Sequence, residues 1–569
     1  MVRPAHAVPG TRLRLDPTLA ALLVLAATLR VIGWGSVGLD HFDEGAYGFS
    51  AGSLAAGGLG AALYPRIELL APPFQYAAGA LVMVLFGISD HALIGLSVLL
   101  GVGTVGLVYV AAKRWLGART ALAAALLLAM SDFHVLYSRS GLADVSFGFW
   151  LLAALVCFAE AERRASWRWA VLAGLATGAA WCTKYHGWLA LVIAAGAWAL
   201  GARGMTRAQA RASLARLSIA GLVAAAAYAP WALHVSSQPG GYALLLEHQA
   251  TFVRPARLVQ QAWAHLQAQL HLDGWLGRSA PGLAALLMVV PTPPALRRRR
   301  LARAGVVTAA GVLAGQAVFV GLAAVAGVLG LARAGAAGAR LTVSFFLVFS
   351  ALTPLYLPYP RLALPWTLAA VLLAGRAVQA FVRASDTSAT EAEGAFSWPA
   401  WAAEARPAFA VVALAAVAAG ATMRPPWRSA STYQPKDGFR TAAAAIAPRV
   451  EPGGTVLVWS EPAVAFYLRA HGVPAYPIVD IREAEGWSAN GPLFLLTSLY
   501  ATRIPGELGL AGWGEAHPGA LTEVARAPVR AVSDTRILDD FGLAGGPAPG
   551  DLPAGWPGYD LRLYRLERP

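Results

Sequence analysis

The sequence predicts a polytopic α-helical membrane protein that ends in a small α/β domain. Three observations lead there. Hydrophobic residues make up 57% of the 569 positions and lie in long blocks, and each bilayer crossing needs about 20 such residues in a row. Lysine and arginine gather in short stretches between the blocks, where the positive-inside bias puts them. After Met423 the long blocks give way to short helix and strand patterns.

The same bias accounts for the formal charge of +14, so nucleic acid is excluded as a partner. Cys157 and Cys182, the two cysteines, both stand in apolar segments. That argues against a disulfide framework or a thiolate metal site.

The first block, Leu19 to Trp34, follows Arg12 and Arg14 and shows no small-residue cleavage site before His41. It reads as a retained span with a cytoplasmic N-terminus. Residues 35–90 form one external segment, in which Phe74 to Phe86 is an interfacial helix too short to cross. His91 to Ala112 returns to Lys113 and Arg114. Thr120 to Met130 then runs outward, Val145 to Ala159 inward, Trp169 to Trp181 outward, Trp188 to Leu200 inward and Leu217 to Leu233 outward.

A second external loop covers 234–279. Leu283 to Val290 leads to the basic run Arg297 to Arg303, and Gly305 to Leu331 reads as a tight hairpin or a broken pair. Leu341 to Leu357 runs out to Pro360-Arg361, Leu362 to Leu373 returns, and Phe409 to Thr422 leads out again. The total is about 13 crossings, and an odd number leaves the C-terminus outside. No internal repeat is visible.

Residues 425–569 form the external domain, with 1–424 as the membrane domain. Phe439 to Ile446 and Ala463 to Ala470 read as helices, and Thr455 to Trp459, Pro492 to Thr497 and Leu561 to Leu566 as strands. Gly545 to Gly558, rich in proline and glycine, reads as a wrapped loop. No Gly-x-Gly-x-x-Gly or P-loop pattern sits at the strand ends, so no nucleotide site is expected.

Asp40-His41-Phe42-Asp43-Glu44 stands just after the first span, in a chain that otherwise avoids acid. Glu44, Tyr47, Ala51 and Leu54 share one face of a helix that begins at the acid pair, and a helix N-terminus favours ionised carboxylates. Asp43 and Glu44 are therefore either a catalytic base or metal ligand at the interface, or a helix cap with a solvated neighbour. Asp40 reads as solvated. Charge bookkeeping puts Tyr137 to Asp144, Lys184 to His186, loop 234–279 and Arg361 on the same external face.

An ordered set of motifs now accumulates. It runs Asp43-Glu44 with Tyr47, Tyr64, Pro72-Pro73-Phe74, Tyr137-Ser138-Arg139 with Asp144, Thr183-Lys184-Tyr185-His186-Gly187, and Pro360-Arg361-Leu362 with Pro365. This set resembles the GT-C superfamily of integral-membrane glycosyltransferases, in the branch related to protein O-mannosyltransferases and lipid A aminoarabinose transferases. The resemblance implies a GT-C fold, a polyprenyl-phosphate sugar donor, inversion at the anomeric carbon, and an active site on the external face of the cytoplasmic (inner) membrane. The acceptor would be a lipid, glycan or protein hydroxyl.

The resemblance puts Asp43 at the position of the catalytic base, with Glu44 orienting the acceptor or binding metal. Asp144 is then a second carboxylate across the cavity, or else only a cap beside a snorkelling Arg139. Arg139 could pair with Asp144 or touch phosphate. Lys184 and Arg361 would contact the donor phosphate, Arg361 as a bidentate clamp, unless they merely anchor span ends. Tyr47, Tyr64, Tyr137 and His186 would line the cavity.

Loop 234–279 suits a lid over the donor's lipid, and His248 in it resembles a loop histidine that relatives direct at metal or phosphate. A divalent cation, with Asp43, Glu68 and His248 as possible ligands, is left open. Glu68 is displaced from the family's position, since Leu70-Ala71 directly precede Pro72-Pro73. The competing function is a transporter or flippase for a lipid-linked sugar, which would place ionisable residues near the midplane and show paired repeats.

Overall fold

The computed structural model describes residues 16–289, 294–331, 337–383, 432–487, 491–498, 510–529 and 559–567. The expected span Phe409 to Thr422, the 424/425 boundary and the loop Gly545 to Gly558 lie outside the described residues.

Helix α1 (Pro17–Val31) is capped by Asp16, whose carboxylate accepts the Thr18 N–H at 3.0 Å. The external segment holds α2 (Phe42–Gly57), the single turn α3 (Ile67–Leu70) and α4 (Phe74–Phe86). Helix α4 has the 13 residues read from the sequence and leaves Leu81, Val84, Leu85 and Phe86 exposed. The main bundle follows as α5 (Asp90–Trp115), α6 (Ala118–Ala129), α7 (Asp132–Ser138), α8 (Ala143–Arg164), α9 (Trp167–Thr183), α10 (Leu189–Ala202) and α11 (Arg207–Ser237).

Five helices among the described residues are long and apolar enough to cross a membrane, or six if α6 and α7, bent by 61°, form one span. The bend falls where Ser131 caps α7 by accepting the His134 N–H.

The second external loop folds as α12 (Gly241–Ala250) and α13 (Leu258–Leu272), and α14 (Trp275–Val289) re-enters the bundle. Gly305 to Leu331 is a broken pair. Gly315, at a φ of +80°, separates α15 (Pro294–Ala314) from α16 (Gln316–Leu331), and only glycine adopts that backbone without steric cost. The basic run Arg297 to Arg303 therefore lies on the first turns of α15. Helix α17 (Ala337–Leu352) ends before a short 3-10 turn, and α18 (Leu364–Arg383) follows a second one at Pro360–Ala363.

The C-terminal region contains α19 (Gly438–Ile446), α20 (Pro462–Ala470), α21 (Leu510–Ala516) and strands β1 (Thr455–Trp459), β2 (Ala475–Ile478), β3 (Leu493–Thr497), β4 (Leu521–Val529) and β5 (Tyr559–Leu566). The sheet order is β2-β1-β3-β5-β4, with β1 parallel to both neighbours and β5 antiparallel to β3 and β4.

Strand periodicity divides the side chains between two cores. Val456, Val458, Phe494, Leu496, Leu561 and Leu563 face α19 and α20, whereas Leu457, Trp459, Leu493 and Leu495 face the opposite side with Ile478 and Trp513. The first of these cores is continuous with Ala46, Phe49 and Ala51 of α2 and with Tyr76 and Ala80 of α4. Contact between α2 and α20 is close enough to require glycine, because a Cβ on Gly45 would stand 2.2 Å from the Ala463 nitrogen. The sheet region thus serves as the bed on which the acid-bearing helix lies.

Candidate active site

Helix α2 begins at His41, whose backbone is extended and whose Nδ1 accepts the Asp43 N–H at 3.0 Å. Glu44, three residues on, completes a capping box. Neighbouring residues on a helix are turned by about 100°, and the two carboxylates accordingly enter different surroundings.

Asp43 faces the loop that precedes α18. Its Oδ2 accepts from Arg361 Nη1 at 2.7 Å, and 38% of its side chain remains open. Burial pushes this carboxyl up, but Arg361, His41 and Lys184 outweigh it and hold it below the usual range, so Asp43 is ionised. Arg361 rests over the Tyr359 ring at 5.4 Å. That loop is itself pinned, because the Leu357 N–H donates to the Phe252 carbonyl and the Arg254 N–H to the Leu355 carbonyl, both at 2.8 Å.

A second pair stands nearby. Lys184 Nζ donates to Asp144 Oδ1 at 2.6 Å, with only 18% and 5% of the two side chains exposed. Tyr47 lies in the field of both carboxylates. Burial, then Asp43 and Asp144, push its phenol well above the usual range, so it stays protonated. His248 packs edge-on against Phe252 at 5.2 Å and is depressed by burial, with the Asp43 charge opposing. The fold therefore brings together Asp43, Arg361, Asp144, Lys184, Tyr47 and His248 from five separate stretches of chain.

Other expectations are corrected. Glu44 is fully buried and saturated: Oε2 accepts the Asp40 and His41 N–H groups at 3.0 and 3.2 Å, while Oε1 accepts the Gly141 N–H and Lys436 Nζ, each at 2.8 Å. No acceptor or metal reaches it there. Asp40, expected to be solvated, is also fully buried, 3.6 Å from Lys436; a second carboxylate is drawn in by the same ammonium.

Arg139 does not pair with Asp144, which is taken by Lys184. It donates to the Arg30 and Ile32 carbonyls at the C-terminus of α1 and lies 5.1 Å from the Tyr433 ring centre. Arg139→Ala should therefore cost about 2 kcal/mol of stability by stranding buried carbonyls. Thermal unfolding in detergent checks this.

Tyr137 is buried with Phe133, Leu142, Val145 and Leu364 and lines no opening. Tyr64 meets Phe42 edge-on at 5.6 Å, and His186 meets Phe147 at 4.6 Å. Glu68 stands 4.0 Å from His234. Among the described residues no three His, Cys, Asp or Glu side chains gather to hold a metal, so Asp43, Glu68 and His248 do not form one site.

His41, Gly141 and Lys436 were missed by the sequence reading. His41 could have been found as a histidine in the place of the usual capping serine or threonine. Lys436, 392 residues from its partner, gave no signal.

Residues 71–234 match the sequence family described as "Dolichyl-phosphate-mannose-protein mannosyltransferase". The oligosaccharyltransferase of Archaeoglobus fulgidus in its apo form has a similar structure, with a TM-score of 0.53 at 14% identity over 85% of this chain and 69% of that one. ArnT from Cupriavidus metallidurans bound to undecaprenyl phosphate aligns over 96% of this chain and 98% of that one, at 16% identity and a TM-score of 0.47. The protein O-mannosyltransferase Pmt1-Pmt2 complex of S. cerevisiae, bound to its sugar donor, aligns over 43% and 36%, at 22% identity and a TM-score of 0.34. No curated protein sequence matches the chain significantly. The chain shares the fold of the archaeal oligosaccharyltransferase.

Proposed function

We propose that the chain is a membrane glycosyltransferase that moves a sugar from a polyprenyl-phosphate donor to an acceptor hydroxyl on a lipid, glycan or protein. The carrying observation is the double pair Asp43–Arg361 and Asp144–Lys184 around Tyr47. Each pair offers a carboxylate that can take or orient a hydroxyl proton and a cation that can hold a phosphate.

In this reading Asp43 takes the proton of the acceptor hydroxyl as its oxygen bonds to the anomeric carbon. The bond from that carbon to the phosphate oxygen breaks, and polyprenyl phosphate leaves with the electron pair. Arg361 and Lys184 hold the departing charge. Asp144 keeps Lys184 in place, and His248 flanks the phosphate side. A single displacement inverts the anomeric carbon. The active site and the sheet region lie on the external face of the cytoplasmic membrane, where the acid-bearing segment follows a first span that starts inside. Residues 425–569, as an external domain, shape the acceptor side.

The test supplies purified protein in nanodiscs with a panel of polyprenyl-phosphate sugars and follows donor consumption and product stereochemistry. One donor should be consumed with inversion. Transport of a lipid-linked sugar across proteoliposomes with no donor consumed would replace the enzyme by a flippase.

A further inference from the structure

Lys436 reaches the site from the C-terminal region. Its ammonium contacts both oxygens of Glu44, at 2.8 and 3.1 Å, and lies 3.6 Å from Asp40 Oδ1, with 6% of its side chain exposed. Its own backbone is fixed, because its N–H donates to the Ser36 carbonyl at 2.9 Å. A Cβ on Gly38 would stand 2.9 Å from the Lys436 carbonyl oxygen, so the two strands of chain run in direct contact.

Glu44 passes this hold to both halves of the site. Through the Asp40 and His41 N–H groups it fixes the first turn of α2, which carries Asp43. Through the Gly141 N–H it fixes the link to α8, which carries Asp144. The Gly141 carbonyl is held in turn by Gln75 Nε2 at 3.0 Å, and Gln75 Oε1 accepts from Ser146 of α8 at 2.7 Å.

We infer that Lys436 is a positioning residue for Asp43 and Asp144: through Glu44 it sets the separation of the two carboxylates, so the sheet region is part of the catalytic geometry and not only an acceptor-side cover. The idea rests on the proposed reaction for its kinetic consequences and on contacts alone for its structural ones. A buried carboxylate with three backbone donors and one ammonium has its geometry fixed by all four. Removing the ammonium leaves a buried negative charge beside Asp43, which must then move or be protonated.

The test measures kcat, donor KM and the acid limb of the pH profile for wild type, Lys436→Met, Lys436→Arg and Lys436→Met/Glu44→Gln. It also follows hydrogen exchange at the amides of Asp40, His41 and Gly141. Lys436→Met should lose about 100-fold in kcat with little change in KM, and its acid limb should move to higher pH because the Glu44 charge is no longer offset. Lys436→Arg should keep most of the activity.

The double variant should regain the wild-type acid limb but not kcat, since glutamine cannot accept on both sides. If Lys436→Met does not fold, the double variant carries the kinetic test. Wild-type kcat and acid limb in Lys436→Met or in the double variant, with only a lower Tm, would overturn the inference. If wild type consumes no donor the proposed reaction fails, and exchange still decides the positioning. Protection at the three amides should drop in Lys436→Met, or in the double variant if the single one does not fold; unchanged protection would overturn it.

Discussion

Asp43→Asn is expected to lower kcat by about 10²–10⁴-fold while leaving the protein folded and able to bind donor. The asparagine keeps the shape and can still accept from Arg361, so the hydrogen bond at 2.7 Å survives in weaker form. What is lost is the capacity to take a proton. His41 cannot substitute, because its Nδ1 is occupied by the Asp43 backbone N–H. Asp144 cannot easily substitute either, since Lys184 holds it at 2.6 Å and it is almost fully buried. Single-turnover measurements with bound donor separate the chemical step from binding. Equal donor turnover in Asp43→Asn would leave the transferase reading intact and remove the base.

Donor binding in the variant bears on the same point. With the negative charge gone, Arg361 is freer to meet phosphate, so the donor KM should stay level or fall. A rise in KM alongside an unchanged kcat would mean that Asp43 binds rather than reacts.

Much of the fold was readable in advance because its signals are local. The apolar runs, the strand Thr455–Trp459 and the 13-residue helix Phe74–Phe86 are set by composition and period over short windows. Strands β2 and β4 were missed. Ala475–Ile478 has only four residues, one of them proline, and Leu521–Val529 shows no regular alternation of apolar and polar residues, is exposed along most of its length and pairs only with β5.

The site was readable in its residue types and not in its pairings. The sequence requires that Arg139, Asp144 and Lys184, charged and near span ends, find partners. It does not say that Lys184 takes Asp144 while Arg139 closes the end of α1. Adjacent carboxylates looked equivalent in the sequence. Helical rotation separates them, so that Asp43 keeps an open face and Glu44 is consumed by a lysine from the far end of the chain.

Arg361→Ala should have the second large effect, with two signatures of different origin. The guanidinium is held ready by the turn Pro360–Ala363 and by the pinned loop before it, so its charge needs no reorganisation when a phosphate departs. Loss of one such preorganised donor costs about 10²–10³ in kcat, and Arg361→Lys should recover part of it, because a lysine keeps the charge but not the bidentate fork.

The pH profile carries the second signature. Arg361 is the foremost of the cations that hold the Asp43 carboxyl below its usual range. Removing it raises that carboxyl, so the ionised form is lost at a higher pH as the solution is acidified, and the acid limb of kcat moves upward. Above that limb Asp43 is ionised in both proteins, and the remaining difference is the phosphate contribution alone. Profiles carried from below the usual carboxylate range up to neutral pH therefore resolve the two. A variant slowed equally at every pH would show that Arg361 serves the leaving phosphate without tuning the base, and one with an unchanged kcat would show that it is only an anchor at a span end.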